Sequence, residues 1–231
     1  MRKIIIDTDT ATDDAIAIIM ALKNNDFDVK AITTIAGNVD LDLATNNALY
    51  ICELCEKKIP VYKGESGPLH RKLETSKFFH GKDGLGDTGP YNPKNLAEKE
   101  NAIDKIIELI NQNPNEIEMI AIGPLTNIAK IFIKDSSVIN KIKGLYIMGG
   151  IGEGKGNITE HAEFNFWVDP DAADIVLNSN IEIKMIAWDT TQIYGYLNKD
   201  NFNDIEKIGT PLSKFSIDIQ RRGLEYYKIK Y

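Results

Sequence analysis

Apolar positions along the chain alternate between the spacing of strands and that of helices, and each change marks an element. Residues 3–6 form a short β-branched run of the kind that fills a buried strand. Residues 15–22 are apolar almost all round, which predicts a buried helix. A second strand is predicted over 29–36, closed by Gly37, then a helix over 41–55 and a short third strand starting at Pro60-Val61-Tyr62. From 64 to 95 the periodicity lapses. That stretch holds 6 Gly and 3 Pro, and so long a loop in a compact domain is expected to carry function. Regularity returns as a helix over 103–110, a strand over 117–122, a helix over 125–133 and a strand over 145–148. A glycine-rich loop follows over 149–159, then a helix over 172–177 behind Asp169-Pro170, a strand over 181–187 and a helix over 211–231. Strands alternating with helices predict right-handed βαβ units. The fold class is α/β, an open and mostly parallel sheet flanked by helices.

Composition narrows the field. The 231 residues fit one domain, 1–231. The net charge of −7 lacks the basic surplus of a nucleic-acid binder. Cys52 and Cys55 make up the cysteine content, too few for a disulfide scaffold or a four-ligand zinc site, and they lie in an apolar-periodic helix. No apolar run approaches the roughly 20 residues of a membrane span. The first apolar run stops at Asp7, short of a signal-peptide core. A cytoplasmic protein without membrane or nucleic-acid partners is expected.

The densest chemistry is Asp7-Thr8-Asp9-Thr10-Ala11-Thr12-Asp13-Asp14, between the first strand and the first helix. Ligands of parallel sheets bind at the carboxyl ends of strands. Asp7 and Asp9, two apart, leave the strand on one side. Asp13 and Asp14 fall in the first helical turn, with Thr10 or Thr12 expected as its N-cap. Helix N-termini favour acids, which accounts for one or two of the four. Packed carboxylates repel unless a cation or a proton sits among them, and oxygen ligands favour a hard ion, Ca²⁺ or Mg²⁺. A metal site or an acid–base site is therefore expected. The run Gly149 to Lys155 also fits the G-x-x-x-x-G-K of a phosphate loop, but Gly156-Asn157 follow instead of Ser or Thr and a helix. A loop that brings Asn157 to a substrate is expected instead. Beyond it, Glu163 and Asn165, two apart in a short extended stretch, are expected to face one side of a strand.

Two families resemble this pattern. Ile4 through Thr10 is similar to the haloacid-dehalogenase pattern, in which an Asp nucleophile and a second Asp two residues on would serve a Mg²⁺-dependent phosphatase; that family's further acidic pair comes late in its chain. The run D-T-D-T-A-T-D-D-A also resembles the D-x-D-P-G-x-D-D-A of the inosine–uridine nucleoside hydrolases, with Thr10 and Ala11 in place of Pro-Gly. Later segments favour the second. Thr33-Thr34-Ile35-Ala36-Gly37-Asn38, Phe79-His80-Gly81-Lys82-Asp83-Gly84-Leu85-Gly86, Ile122-Gly123-Pro124-Leu125-Thr126-Asn127, Met148-Gly149-Gly150 and Ala162-Glu163-Phe164-Asn165 before Asp169-Pro170 are similar to that family in the same order.

The resemblance implies a Rossmann-like fold and a Ca²⁺-dependent N-ribohydrolase that splits a ribonucleoside into base and ribose. By it, Asp9 is metal ligand and general base, Asp14 a bidentate ligand, Ile122 a ligand through its carbonyl, and Asp7 a ligand or a support behind the ligands. Asp13, Asn38, Met148, Asn157, Glu163 and Asn165 match ribose-binding positions, Asp13 counting also as catalytic. His80, Tyr227 and Tyr231 match positions near the base, and the setting of His80 is that of members accepting inosine and pyrimidine nucleosides. A homo-oligomer, dimer or tetramer, is implied. The family carries a later His-Asp pair that this chain, stopping at Tyr231, does not reach. A short C-terminal part, exposed apolar surface and, as the alternative function, an impaired nucleoside- or ribose-binding protein are therefore expected.

Overall fold

The computed structural model describes residues 1–195 and 197–230, with backbone alone over 227–230. The elements run β1 (Arg2–Thr8), α1 (Thr12–Lys23), β2 (Phe27–Thr34), α2 (Leu41–Leu54), β3 (Val61–Lys63), α3 (Lys77–His80), α4 (Ala102–Gln112), β4 (Ile117–Ala121), α5 (Thr126–Lys134), β5 (Gly144–Met148), α6 (Phe164–Val168), α7 (Pro170–Leu177), β6 (Ile183–Ile186), α8 (Trp188–Tyr194), α9 (Lys199–Ile208) and α10 (Pro211–Lys230). The six strands pair in parallel in the order β3-β2-β1-β4-β5-β6. The chain winds outward from β1 to β3, returns to the middle, and winds the other way from β4 to β6. The junction of β1 and β4 is thus the switch point, where the first crossovers leave in opposite directions and open a crevice.

Two cores cover the two faces. Ile4, Ile6 and Ile32 pack under α1 and α2, joined by Phe215 and Ile219 of α10. Ile5, Ile117, Met119, Leu145 and Ile147 pack under α4, α5 and α7. Burying each such side chain contributes about 1.5–3 kcal/mol. The register shifts once, between Ile4↔Val29 and Ile5↔Ala31, so Lys30 is an extra residue in β2. A one-residue slip exchanges the faces of a strand. Here it sets Thr33 beside Asp7; without it the apolar Ile32 would face that carboxylate.

Helices α8 and α9 were not predicted. Neither has a buried residue; Phe202, Ile205 and Ile208 do form a short stripe on α9, but it is only half-buried or exposed. The signals for α9 are its caps: Asn198 accepts from Asn201 N at 2.9 Å, and Gly209 ends the helix at φ 69°. One-turn helix α3 lies inside the predicted loop 64–95, and one-turn helix α6 replaces the extended stretch expected around Glu163 and Asn165. Large exposed apolar side chains recur near the sheet's β6 edge and beyond it: Met185, Ile186, Ile193, Tyr194, Leu197 and Ile208. Among the described residues no helix is long and apolar enough to cross a membrane. Cys52 and Cys55 are buried free thiols, and burial pushes Cys52 up to about 12.

Candidate active site

The acidic loop leaves β1 at the switch point and enters α1. Its turn is built from Thr8, whose hydroxyl accepts from Thr10 N at 3.0 Å, so Thr10-Ala11 turns without Pro-Gly. The N-cap of α1 is Ala11, not Thr10 or Thr12. An alanine cannot cap with its side chain. Asp14 instead reaches back, and its Oδ2 accepts from Ala11 N at 2.9 Å. One of the four acids therefore has a helix-starting role as well.

Asp9 is fully buried. Its Oδ2 accepts from Asn38 N at 2.5 Å, while its Oδ1 has no partner among the described residues. Two glycines cradle it. A Cβ on Gly37 would lie 2.2 Å from Asp9 Oδ2, and one on Gly123 would lie 3.0 Å from Oδ1. Both glycines belong to loops that leave β2 and β4, the strands on either side of β1. Asn38 also reaches toward Asp14 with a long 3.5 Å contact. Burial lifts Asp9 to about 7, helped by the charge of Asp13 and opposed by the Asn38 N–H; burial and the charges of Asp9 and Asp13 hold Asp14 well above the carboxylate range. Asp13 is the exposed member of the cluster.

Asp7 lies deeper. Its Oδ1 accepts from Thr33 Oγ1 at 2.6 Å and Asn127 Nδ2 at 2.8 Å, and its buried Oδ2 is unpartnered among the described residues. Burial raises it to about 6. Two donors thus hold one oxygen of Asp7 and leave the other fully buried and free among the described residues.

Of the ribose-matching residues, Asp13 lies on α1, Asn38 follows β2, Met148 ends β5, Asn157 lies in the glycine-rich loop, and Glu163 and Asn165 lie at the start of α6. Asn165 Nδ2 donates at 3.0 Å to the carbonyls of both Ile122 and Met148, tying the two strand ends together. Glu163 is not in an extended stretch but is the N-cap of α6. Its carboxylate accepts from Asn165 N, Phe166 N and Gly150 N, and burial lifts it to about 7. Asn157 Oδ1 accepts from Phe164 N at 2.8 Å. The glycine-rich loop is held by carboxylates: Asp189 takes Gly152 N at 2.8 Å, and Glu163 takes Gly150 N at 2.9 Å. Those N–H groups are taken, so a phosphate has no free cradle there.

His80 ends α3 and is buried; its Nδ1 lies 2.7 Å from Thr12 Oγ1 and 3.8 Å from Asp13 Oδ1. Burial lowers its pKa, against the pull of Asp13. The side chain of Tyr227 and all of Tyr231 lie outside the described residues. Asn127, Thr33, Thr12 and Ser76 were not singled out from the sequence for the site. Asn127 and Thr33 lie inside recognised segments, and a polar side chain at a helix start or a strand end was their one signal.

Oxygen donors suit a hard cation, and Asp7 Oδ2 and Asp9 Oδ1 are buried carboxylate oxygens without partners among the described residues. Among the described residues no three His, Cys, Asp or Glu side chains are grouped closely enough to hold a metal ion by themselves.

A family model described as inosine-uridine preferring nucleoside hydrolase matches residues 4–231. Uridine nucleosidase 1 of Arabidopsis thaliana is 36% identical over 218 residues, 93% of this chain and 63% of that protein. The chain thus spans less than two thirds of that relative's length. A solved plant nucleoside hydrolase, the PpNRh1 enzyme, superimposes with a TM-score of 0.95 at 35% identity, covering 100% of this chain and 73% of that one. The purine-preferring ribonucleoside hydrolase from Gardnerella vaginalis gives 0.94 at 32% identity, covering 99% and 74%.

Proposed function

The chain belongs to the inosine-uridine preferring nucleoside hydrolase family, and on that premise we propose that it hydrolyses the N-glycosidic bond of inosine- and uridine-type ribonucleosides to free base and ribose. The observation that carries this reading is Asp9: a buried carboxylate at the switch point, lifted to about 7, with one oxygen unpartnered. Glycosidic cleavage passes through an oxocarbenium-like state. Carboxylates beside the ring stabilise that charge, and a buried carboxylate with a free oxygen is placed to take a proton from water.

Asp9 and Asp14, the Ile122 carbonyl and Asp7 would hold Ca²⁺, with Asp7 positioned by Thr33 and Asn127. When bound, the ion supplies Lewis acidity that makes water easier to deprotonate. Asp9 takes the proton from the attacking water. Asp13, Asn38, Asn157, Glu163 and Asn165 offer acceptors and donors to the ribose hydroxyls, each of which needs a partner once it leaves water. Met148 offers an apolar sulfur wall. His80 faces the base and assists its departure. The named relatives include a uridine nucleosidase and a purine-preferring enzyme, so both kinds of base belong in the assay.

Ribose release from inosine and uridine, measured with excess Ca²⁺ and with EDTA, tests the proposal. Release that needs Ca²⁺ supports it. No release from folded protein overturns it, and a rise in melting temperature with ribose would then point to the binding alternative. Gly37→Ala probes the cradle. The added methyl drives into Asp9 Oδ2 and the Pro124 ring, 2.8 Å away. A displacement of this size at a reacting group is expected to lower kcat by about 10²-fold, with the far-UV circular dichroism unchanged. An unaltered kcat would show that the cradle has slack.

A further inference from the structure

His80 is anchored at two points. Ser76, which starts α3, donates through Oγ to Asn38 Oδ1 at 2.5 Å. At the other end the imidazole meets Thr12, the first residue of α1, through Nδ1 at 2.7 Å. Thr12 is itself held, since Gln220 of α10 donates to its carbonyl at 3.1 Å. Its side chain is buried, at 3% exposure.

Hydrogen accounting decides which atom donates. A neutral imidazole has one N–H and one bare nitrogen. If Nδ1 carried the proton, it would donate to Thr12 Oγ1, and the threonine's own hydrogen would need an acceptor. Among the described residues Thr12 Oγ1 has no hydrogen-bond partner besides His80. The reverse arrangement leaves nothing unpaired: Thr12 O–H donates to a bare Nδ1, and the proton sits on Nε2. Leaving a buried hydroxyl without an acceptor is costly, and that fixes the choice. The depressed basicity of His80 agrees with a neutral ring. Nε2 makes no hydrogen bond among the described residues and is the nitrogen left for a ligand.

We propose that Thr12 is a positioning residue, whose hydroxyl holds His80 in the Nε2–H tautomer and thereby presents an N–H donor to the departing base. As the C1′–N bond breaks, the electron pair moves onto the base, and the Nε2–H donates a hydrogen bond to the anionic oxygen or nitrogen that results. With the other tautomer, Nε2 would turn a lone pair toward that anion and repel it. The catalytic half of this inference rests on the nucleoside-cleaving reading above. The tautomer half does not. It also gives Thr12 a task apart from the acids that flank it in the loop.

The test has two arms. The chain has three histidines, and His70 and His161 are exposed, so the ring ¹⁵N resonances of His80 can be separated by their protection. Wild-type protein is expected to show a bare Nδ1 and a protonated Nε2. Thr12→Val is expected to lose that bias, and Thr12→Ser to keep it. A wild-type Nδ1–H, or a Thr12→Val spectrum identical to wild type, overturns the proposal. In the second arm, uridine and 4-nitrophenyl riboside are compared, because nitrophenolate leaves without help. Thr12→Val is expected to lower kcat on uridine on the order of tenfold more than on the nitrophenyl riboside, and Thr12→Ser to restore the ratio. Equal losses on both substrates overturn the catalytic half and indicate a structural role. If wild-type protein cleaves neither substrate, the nucleoside-cleaving reading falls with that half, and the resonances still decide the tautomer.

Discussion

Asp9→Asn is expected to lower ribose release by roughly 10³-fold or more, within the range for losing a general base, while the metal-free protein melts no lower than wild type. The two effects have one cause. In the folded chain the Asp9 carboxyl is fully buried, accepts one hydrogen bond from Asn38 N, and leaves Oδ1 unpartnered. Burial opposes its charge and lifts it to about 7. An asparagine keeps the acceptor toward Asn38 and removes the charge. It cannot take a proton from water at any working pH, and it offers a cation one charge fewer. Saturating Ca²⁺ therefore should not rescue turnover. A variant that retains more than a tenth of wild-type kcat, or that melts well below wild type in EDTA, would show that Asp9 is structural.

The sheet was legible because parallel strands buried on both faces read as short β-branched runs, as residues 3–6 and 117–122 do. Helices with a buried stripe were legible for the same reason. Helices α8 and α9 were not, since no residue of either is buried. The acids of the site were visible because four carboxylates in eight residues exceed what capping explains. What holds them was not. Lys30, the extra residue in β2 that turns Thr33 toward Asp7, has no mark in the sequence. The bond from Asn127 to Asp7 spans 120 positions. Glu163 and Asn165 were read as facing one side of a strand, because a one-turn helix behind an N-cap has the same two-residue spacing. The N-cap of α1 was misplaced because Asp14 replaces the usual capping side chain by reaching back to Ala11 N.

Stability should fall as pH rises from about 5 to 7.5 in EDTA, the reverse of the usual trend for acidic proteins. Carboxyls in an unfolded chain titrate near 4. In the folded chain burial lifts Asp7 to about 6 and Asp9 and Glu163 to about 7, and Asp14 is raised as well. Across this window the folded state binds more protons than the unfolded state. The slope of unfolding free energy against pH is therefore negative, and the stability that these groups contribute below about 4 is lost as pH climbs through their folded values. A pKa difference of two units corresponds to about 3 kcal/mol, so the groups together are worth several. Two effects run the other way. Glu118, held at about 2 by Arg2 and Lys143, contributes stability that is already complete above 4.5. His80, lowered by burial, adds stability as pH rises toward 6.5; one imidazole does not offset four carboxyls. Ca²⁺ at a hundred times its dissociation constant adds about 2.7 kcal/mol. That gain is expected to be large at pH 7.5, where the carboxyls are ionised, and small at pH 5, where protons occupy them. Melting temperatures at pH 5 and 7.5, each with EDTA and with Ca²⁺, measure all four corners. Asp7→Asn keeps the acceptor for Thr33 and Asn127 but removes one titrating group, and should flatten the EDTA slope. A melting temperature that rises with pH in EDTA, or a Ca²⁺ increment equal at both pH values, would mean that these carboxyls are not protonated in the folded chain.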